Sequence, residues 1–317
     1  MQRRHLPLLA LPFLARPALA WAPDRPIRLV APFGAGGPSD VVARLLAEEL
    51  GAVLGFSFIV ENRAGGGGSV AAEYVARSRP DGTTLMLASQ ATHGVSPVVN
   101  RLNLDPGTET LPIANVAGVP AALVVAPGTP AATLADFIAL AKSRPGALSY
   151  GSAGVGTSTH MTLALLAHRA GLDMLHVPFR TTAQVYPEIL GGRITAMTDA
   201  INTALPFIRE GRVKALGVST PQRLPILPDV PAIAEALPGY EVLNWYGING
   251  PNNTPAEAVT TLHDGMQRLL AKPEFQARIA AQGLVPLPMS TAEYVRYIAA
   301  DRAQWAALVA ATGIKPE

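Results

Sequence analysis

The sequence predicts a two-domain α/β protein, and three observations carry that prediction. The chain has 317 residues, which is room for about two domains. Apolar residues make up 49% and charged residues 15%, so a sizeable core can be buried and a globally disordered chain is excluded. Short apolar runs alternate with segments of helical periodicity, and they do so in two successive arrays. Glycine and proline, 29 of each, are spread along the chain and mark element boundaries rather than a repeat.

The first twenty residues read as an export signal that precedes the fold. Arg3 and Arg4 form a basic start, Leu6 to Ala15 a short apolar stretch, and Ala18-Leu19-Ala20 a small-x-small cleavage site. The apolar stretch is too short to span a bilayer, and Pro7, Pro12 and Pro17 weaken it as a helix. The adjacent arginines and Arg16 suit the twin-arginine route as well as the general secretory one. The expected location is therefore the periplasm. Removal of this segment takes away three arginines and no acid, which turns a net charge of +2 into 22 basic against 23 acidic residues, or −1. No basic stripe or zinc pattern suggests nucleic acid. No later segment has the ~20 uncharged apolar residues of a membrane span. Cysteine is absent, which removes disulfides, thiolate metal sites and cysteine nucleophiles.

The elements follow in order. Ile27 to Phe33 is a strand candidate, followed by a glycine turn and a helix that Ser39 can cap. That helix carries Val41, Val42, Leu45, Leu46 and Leu50 on one side, with Gly51 as its stop. Ser57 to Arg63 is a second strand; Gly65 to Gly68 lead into a helix over 70–77, and Thr83 to Ser89 is a third strand. This β-α-β-α-β string implies a parallel sheet with right-handed crossovers. The second array begins with a strand ending at Pro127 and a helix from Leu134 to Ser143 capped by Thr133. Leu148 to Gly154 is its next strand, followed by another glycine turn and the helix STHMTLALLAHRAG. Further strands are expected over 175–180, 194–200 and 213–220. A proline-rich loop over 221–239 precedes a strand over 244–251 and two closing helices over 255–271 and 291–312. Ser290 and Glu293 make a capping box for the last helix. The tail is expected to return to the first domain.

Several chemistries fail on spacing. Gly34 to Ser39 offers the first two glycines of a dinucleotide fingerprint, but Ser39 stands where the third belongs. Gly151 to Gly156 has the glycine spacing of a P-loop, but Thr157 replaces its lysine. There is no H-E-x-x-H and no G-x-S-x-G. The histidines at 93, 160, 168, 176 and 263 are dispersed; a Ser152–His160 pair would have no orienting acid. No cofactor, metal or catalytic residue is expected.

The two glycine turns share a physical property. Each leads into a helix start, where backbone N–H groups lack intrahelical partners and the dipole is positive. Such a terminus accepts a carboxylate without a charged side chain. Gly34 to Ser39 would hold one end of an anion and Gly156-Thr157-Ser158 the other, in a cleft that closes on it. The alternative for either turn alone is that it does no more than reverse the chain.

The sequence also resembles the Bug family, the extracytoplasmic solute-binding receptors of tripartite tricarboxylate transporters. The residues that carry the resemblance include PDRPIRLVAPFGAGGPSDVVARLLAEELG, VENRAGGGGSVAAEYVARSRPDGTTLMLAS, LSYGSAGVGTSTHMTLALL, HVPFR, LGGRI, ALPFIREGRVKALGVST and LPDVPAIAEALPGYE, in that order. The resemblance implies a periplasmic-binding-protein-like, Venus-flytrap fold with a hinge of two crossing strands. Domain 1 would comprise 21–122 and 247–317, and domain 2 would comprise 123–246. It implies capture of a small organic carboxylate and delivery to integral membrane transporter subunits, by a protein expected to be a monomer. The site it implies comprises Phe33, Gly34, Ala35, Gly36, Gly37, Pro38, Ser39 and Asp40 on the first loop. Asp40 is expected to brace that loop rather than touch an anion, because two carboxylates repel. Ser89 and His93 border the cleft after the third strand; Gly154, Gly156, Thr157, Ser158 and His160 form the second loop, and Asp199 completes the set. An exported enzyme or a ligand-sensing partner of a membrane signalling protein are the alternatives.

The chain departs from the family pattern at places that bear on ligand identity. Thr198 replaces the phenylalanine usual before the aspartate, and LDPGTETL replaces a YDPLKDF-like segment. PFRTTAQV stands for a segment like PYKGSAPA, adding Thr181 and Thr182. Arg180 within it either meets a second carboxylate or is a solvated or structural arginine.

Overall fold

The computed structural model describes residues 21–36 and 38–314, the side chain of Pro38 excepted. The export signal expected over 1–20 and Gly37 of the first loop lie outside the described residues. The first lobe opens with β1 (Ile27–Ala31), α1 (Pro38–Leu54), β2 (Phe58–Asn62), α2 (Ser69–Ala76) and β3 (Thr84–Ser89). β1 pairs parallel to both β2 and β3. All six residues of β3 are buried, the continuous apolar run required of a parallel strand covered on both faces. A wide turn over Gln90–Val95 then leads to two single helical turns, α3 (Ser96–Val99) and α4 (Pro106–Glu109).

β4 (Thr110–Val125) holds the two lobes together. Thr110 to Pro120 pair antiparallel with β9 (Leu243–Pro251) in the first sheet. Ala121 to Val125 pair in the second sheet with β7 (Ala196–Ala200) on one side and β8 (Lys214–Val218) on the other. The change of sheet falls at Pro120, which has no N–H to give to a ladder. β9 also pairs with β3, so it lies in the first sheet throughout.

The second lobe adds α5 (Leu134–Ser143), β5 (Ser149–Ser152), α6 (Ser158–Ala170), β6 (Leu175–Pro178), α7 (Thr182–Leu190) and α8 (Ile201–Arg209). β5 runs parallel to β6 and β7. After β9 come α9 (Ala256–Leu270), α10 (Pro273–Ala281), the short β10 (Val285–Pro286) and α11 (Thr291–Thr312). β10 pairs with β4, and α9 packs on α1 and β4, so the tail covers the first sheet. Separate cores form around Leu29, Leu46, Leu50 and Leu85 in the first lobe, and around Leu123, Phe137 and Leu163 in the second. Trp305 and Leu308 of α11 join the second core. No helix among the described residues is long and apolar enough to cross a membrane.

Several boundaries move for identifiable reasons. α1 starts at Pro38, so Ser39 lies inside its first turn instead of capping it. It passes Gly51 and stops at Gly55, whose φ of 72° ends a helix as Gly51 does not. Val41 is exposed, so only Val42, Leu45, Leu46 and Leu50 of the predicted stripe face the core. The Thr133 and Ser290 capping boxes form as expected.

Candidate functional site

The first wall of the cleft is the loop from β1 into α1. Gly36 takes a φ of 78°, and its N–H donates to Asp40 Oδ2 at 2.9 Å. Arg44 Nε donates to the same oxygen at 2.9 Å, and Asn62 Nδ2 donates to Phe33 O at 3.0 Å. The Arg44 bond, then the Gly36 amide, hold the Asp40 carboxyl well below its ordinary value, at about 2. Asp40 is thus turned back onto its own loop. Pro38 occupies the first helical position, where its missing N–H costs nothing. Ser39 follows, 2% exposed, and its buried Oγ has no hydrogen-bond partner among the described residues.

The second wall is the loop from β5 into α6. Thr157 caps the helix: its Oγ1 accepts from His160 N at 3.4 Å and donates to Gly154 O at 2.7 Å. Gly154 and Gly156 have φ of 117° and 74°. Gly156 N–H donates to His160 Nδ1 at 3.1 Å, which requires that nitrogen to be unprotonated. The amide expected to meet a ligand is therefore already used. Among the described residues no acceptor takes the amides of Val155, Ser158 and Thr159, which leaves them as open donors of this turn. The His160 ring stacks on His176 at 3.8 Å, and Tyr150 stacks on His176 at 4.9 Å. Ser152 Oγ pairs with His176 Nε2 at 2.7 Å, rather than with His160. Burial pushes His160 down to about 3 and His176 to about 4.

Between the walls lies a cavity of about 510 Å³, within the ordinary size range of small-molecule sites. The first lobe lines it with Phe33, Ser39, Gly67, Ala91, Ser96 and Asn100. The second contributes Ala153, Val155, Gly156, Thr157, Ser158 and Arg180, and β9 of the first sheet contributes Asn244 and Tyr246. Asn244 Oδ1 is a second buried acceptor without a partner among the described residues. Among the described residues of this lining there is one cation, Arg180, and no acid.

The structure therefore brings together Phe33, Ser39, Gly156, Thr157 and Ser158 of the predicted set. Gly34, Ala35 and Gly36 are exposed and outside the lining, and Gly154 is flanked by two lining residues without being one. Ser89 caps the turn that carries Ala91, with Oγ accepting from Thr92 N. His93 is fully buried behind that turn, bonded to Thr92 Oγ1 at 2.8 Å and Asn249 Nδ2 at 3.1 Å. Burial pushes its pKa down to about 4. His160 lines a different cavity of about 590 Å³, behind the loop, together with Tyr150 and His176. Asp199 borders a cavity of about 20 Å³ beside Ser158 and Asn244, enough for one water molecule. Its carboxylate accepts from Tyr186 OH at 2.8 Å and from Ala200 N at 2.9 Å, and burial raises its pKa. Sequence reasoning passed over Gly67, Ala91, Ser96, Asn100, Ala153, Val155, Asn244 and Tyr246. Asn244 and Tyr246 carried a usable signal, since residues two apart on a strand share a face.

A family model described as the tripartite tricarboxylate transporter family receptor matches residues 42–314. A relative from Pseudomonas sp. strain P51, a UPF0065 protein in the tcbD-tcbE intergenic region, is 35% identical over 83% of this chain and 79% of its own. The solved structure of R. palustris Rpa4515 with adipate is 32% identical, with a TM-score of 0.81 over 93% of this chain and 99% of that one. The periplasmic binding protein BugD is 31% identical, with a TM-score of 0.77 over 93% and 100%. MatC (Rpa3494) from Rhodopseudomonas palustris with bound malate is 32% identical, with a TM-score of 0.76 over 91% and 100%.

Proposed function

The chain belongs to the tripartite tricarboxylate transporter receptor family, and from that premise we propose that it is a periplasmic receptor for a small organic carboxylate. The observation that supports this most is the cavity between the lobes. Donors from both sides reach it, and no acidic side chain among the described residues lines it. The ligand carboxylate is held by Ser39 and the first turn of α1 on one side, and by Ser158 and the first turn of α6 on the other. Asn244 lines the same cavity; its unpartnered Oδ1 only accepts and so suits a hydroxyl of the ligand rather than its carboxylate. Two relatives with this fold bind adipate and malate, which are carboxylates of this size.

The mechanism is capture without chemistry. The ligand bridges the lobes only when they are closed, so its differential contacts drive closure. The domains divide at the crossing of β4 and near the start of β9. Neutral amides and hydroxyls supply most of the grip, which permits release when membrane subunits separate the lobes. The cleft is read as a binding site on the strength of the family and of its lining; the Ser152–His176 pair lies outside that lining. Export of the chain through residues 1–20 completes this reading.

A thermal-shift and native mass spectrometry screen tests it, with di- and tricarboxylates, aromatic acids, neutral amides and cations as probes. A carboxylate should raise the melting temperature with concentration and be recovered unchanged. Stabilisation by neutral molecules or cations alone overturns the reading, and turnover of a probe overturns its non-enzymatic part.

A further inference from the structure

We infer that His160 is the positioning residue of the second loop: by taking the Gly156 amide from behind, its ring decides which amides of that loop are left to meet a ligand. The inference rests on the carboxylate-binding reading above and goes further by naming a side chain that prepares the site from outside its lining.

The loop from β5 into α6 has most of its amides already engaged. Ala153 N–H donates to Thr159 Oγ1 at 2.9 Å, and Gly154 N–H donates to Ser152 Oγ at 3.1 Å. Thr157 N–H turns back to Gly154 O at 3.3 Å, and Gly156 N–H goes to His160 Nδ1 at 3.1 Å. The amides left open among the described residues are those of Val155, Ser158 and Thr159, and Val155 and Ser158 line the cleft. Gly156 lines it too, so without the imidazole its amide would compete for the ligand or for water.

The ring is itself held from several sides. The His160 backbone N–H donates to Thr157 Oγ1 at 3.4 Å, and the imidazole stacks on His176 at 3.8 Å with 13° between the planes. His176 is tied in turn to Ser152 Oγ at 2.7 Å, at the other end of the same loop. An acceptor at Nδ1 places the ring proton of His160 on Nε2. A second proton, on Nδ1, would set two donors face to face and push Gly156 off the ring. Tyr150 of β5, His176 of β6, His168 of α6 and Asp173 of the following turn share the cavity behind the loop, and the end of α11 adds only Thr312 and Ile314 among the described residues. Burial first, and the neighbouring His176 second, hold His160 unprotonated, down to about 3. The loop is thus ordered before a ligand arrives, which spares binding the entropy of ordering it.

Two measurements on the full chain decide the matter. Nitrogen-15 spectra of histidine-labelled protein read the ring directly, with His160 assigned by its loss in either variant below. The ring should stay neutral, with its proton on Nε2, from about pH 5 to about pH 8. A ring that titrates near the ordinary 6.5, or that carries its proton on Nδ1, overturns the inference. Calorimetric titration with adipate, malate and phthalate reads the consequence. His160→Phe keeps a ring for the stack but has no acceptor, whereas His160→Asn loses the ring and offers Oδ1 in place of Nδ1. The Phe variant should bind the tightest of these probes about tenfold more weakly than wild type, and the Asn variant should recover most of that loss. A Phe variant that binds like wild type, or an Asn variant no better than the Phe variant, overturns this inference alone. Failure of every probe to bind the wild type overturns the carboxylate reading, and the spectra then still test the His160–Gly156 bond by themselves.

Discussion

At the scale of single residues, the polar groups that lack partners are as informative as those that have them. Ser39 Oγ is buried and has no partner among the described residues, a state that costs about 1–3 kcal/mol in a folded protein. Ser39→Ala should therefore leave the unliganded protein as stable or slightly more stable. The same change should weaken carboxylate binding by roughly tenfold, the worth of one hydrogen bond to a charged group. Denaturant unfolding and calorimetry read the two effects separately; lower stability with unchanged binding would remove Ser39 from the site. Asp301 presents the opposite case, a buried carboxyl fully engaged by Trp245 Nε1 at 2.9 Å and Trp305 Nε1 at 2.8 Å. Burial pushes it from its ordinary 3.8 up to about 7, against the lowering effect of those bonds. A raised folded-state value means that the folded chain holds this proton more tightly. Its contribution is whole below the unfolded value near 4 and is lost as pH rises through about 7. His93, His160 and His176 have the reverse sign, with folded values below the ordinary 6.5. Their contribution is whole above 6.5 and is lost as pH falls. Because the two slopes oppose, the test is a difference. The stability of wild type minus that of Asp301→Asn should fall between pH 4 and 7, by at most about 4 kcal/mol. A flat difference would show that the carboxyl keeps an ordinary value.

At the scale of elements, the second glycine turn shows why its residues are small. A Cβ on Gly156 would meet Val99 Cγ1 of the opposite lobe at 3.3 Å, and the backbone there has a positive φ. Gly156→Ala should cost about 1–2 kcal/mol of stability from the left-handed conformation alone. It should also weaken ligand binding, because it pushes on the contact that brings the lobes together. Unfolding curves with and without a bound carboxylate measure both, and unchanged affinity would mean that Val99 gives way freely. The strands, the helix starts and the two capping boxes were legible in the sequence because period, caps and glycines are local signals. The length of β4 was not, since only its end looked like a strand; Pro112 and Pro120 interrupt the pattern that β9 supports by pairing. α7 and α8 were missed because each carries an internal proline, Pro187 and Pro206. In the site, Ser39 and Ser158 were found by position in a turn, and Phe33 through the family resemblance. Arg180 was weighed and left open because nothing in a sequence says whether an arginine has a partner. Ser96 and Asn100 left no trace, being ordinary polar residues that folding carries to the cleft. His93 and His160 were placed on the cleft by the resemblance, but their side chains turn to other surroundings.

At the scale of the whole molecule, the lobes are not independent bodies joined by a flexible link. β4 is a rung of both sheets, and α11 contributes Trp305 and Leu308 to the second core. Differential scanning calorimetry should therefore show one cooperative transition; two separated transitions would mean that the shared elements do not couple the lobes. A saturating carboxylate should move that single transition upward as a whole, by about 2.7 kcal/mol at a hundredfold excess over Kd. The C-terminal helix sets a further condition on opening. Thr291 Oγ1 bonds Ile113 O at 3.1 Å, and Arg302 Nη2 lies 2.7 Å from Asp105 Oδ2, both on the first lobe. Its last turn meanwhile brings Thr312 to the pocket behind the second loop, beside Tyr150 and His176. The helix is thus bonded to the first lobe at Thr291 and Arg302 and buried in the second core at Trp305 and Leu308. Any separation of the lobes under the receptor reading would have to break one of these two anchorages, so the energy of opening is set partly by a helix on the far side of the molecule from the solute.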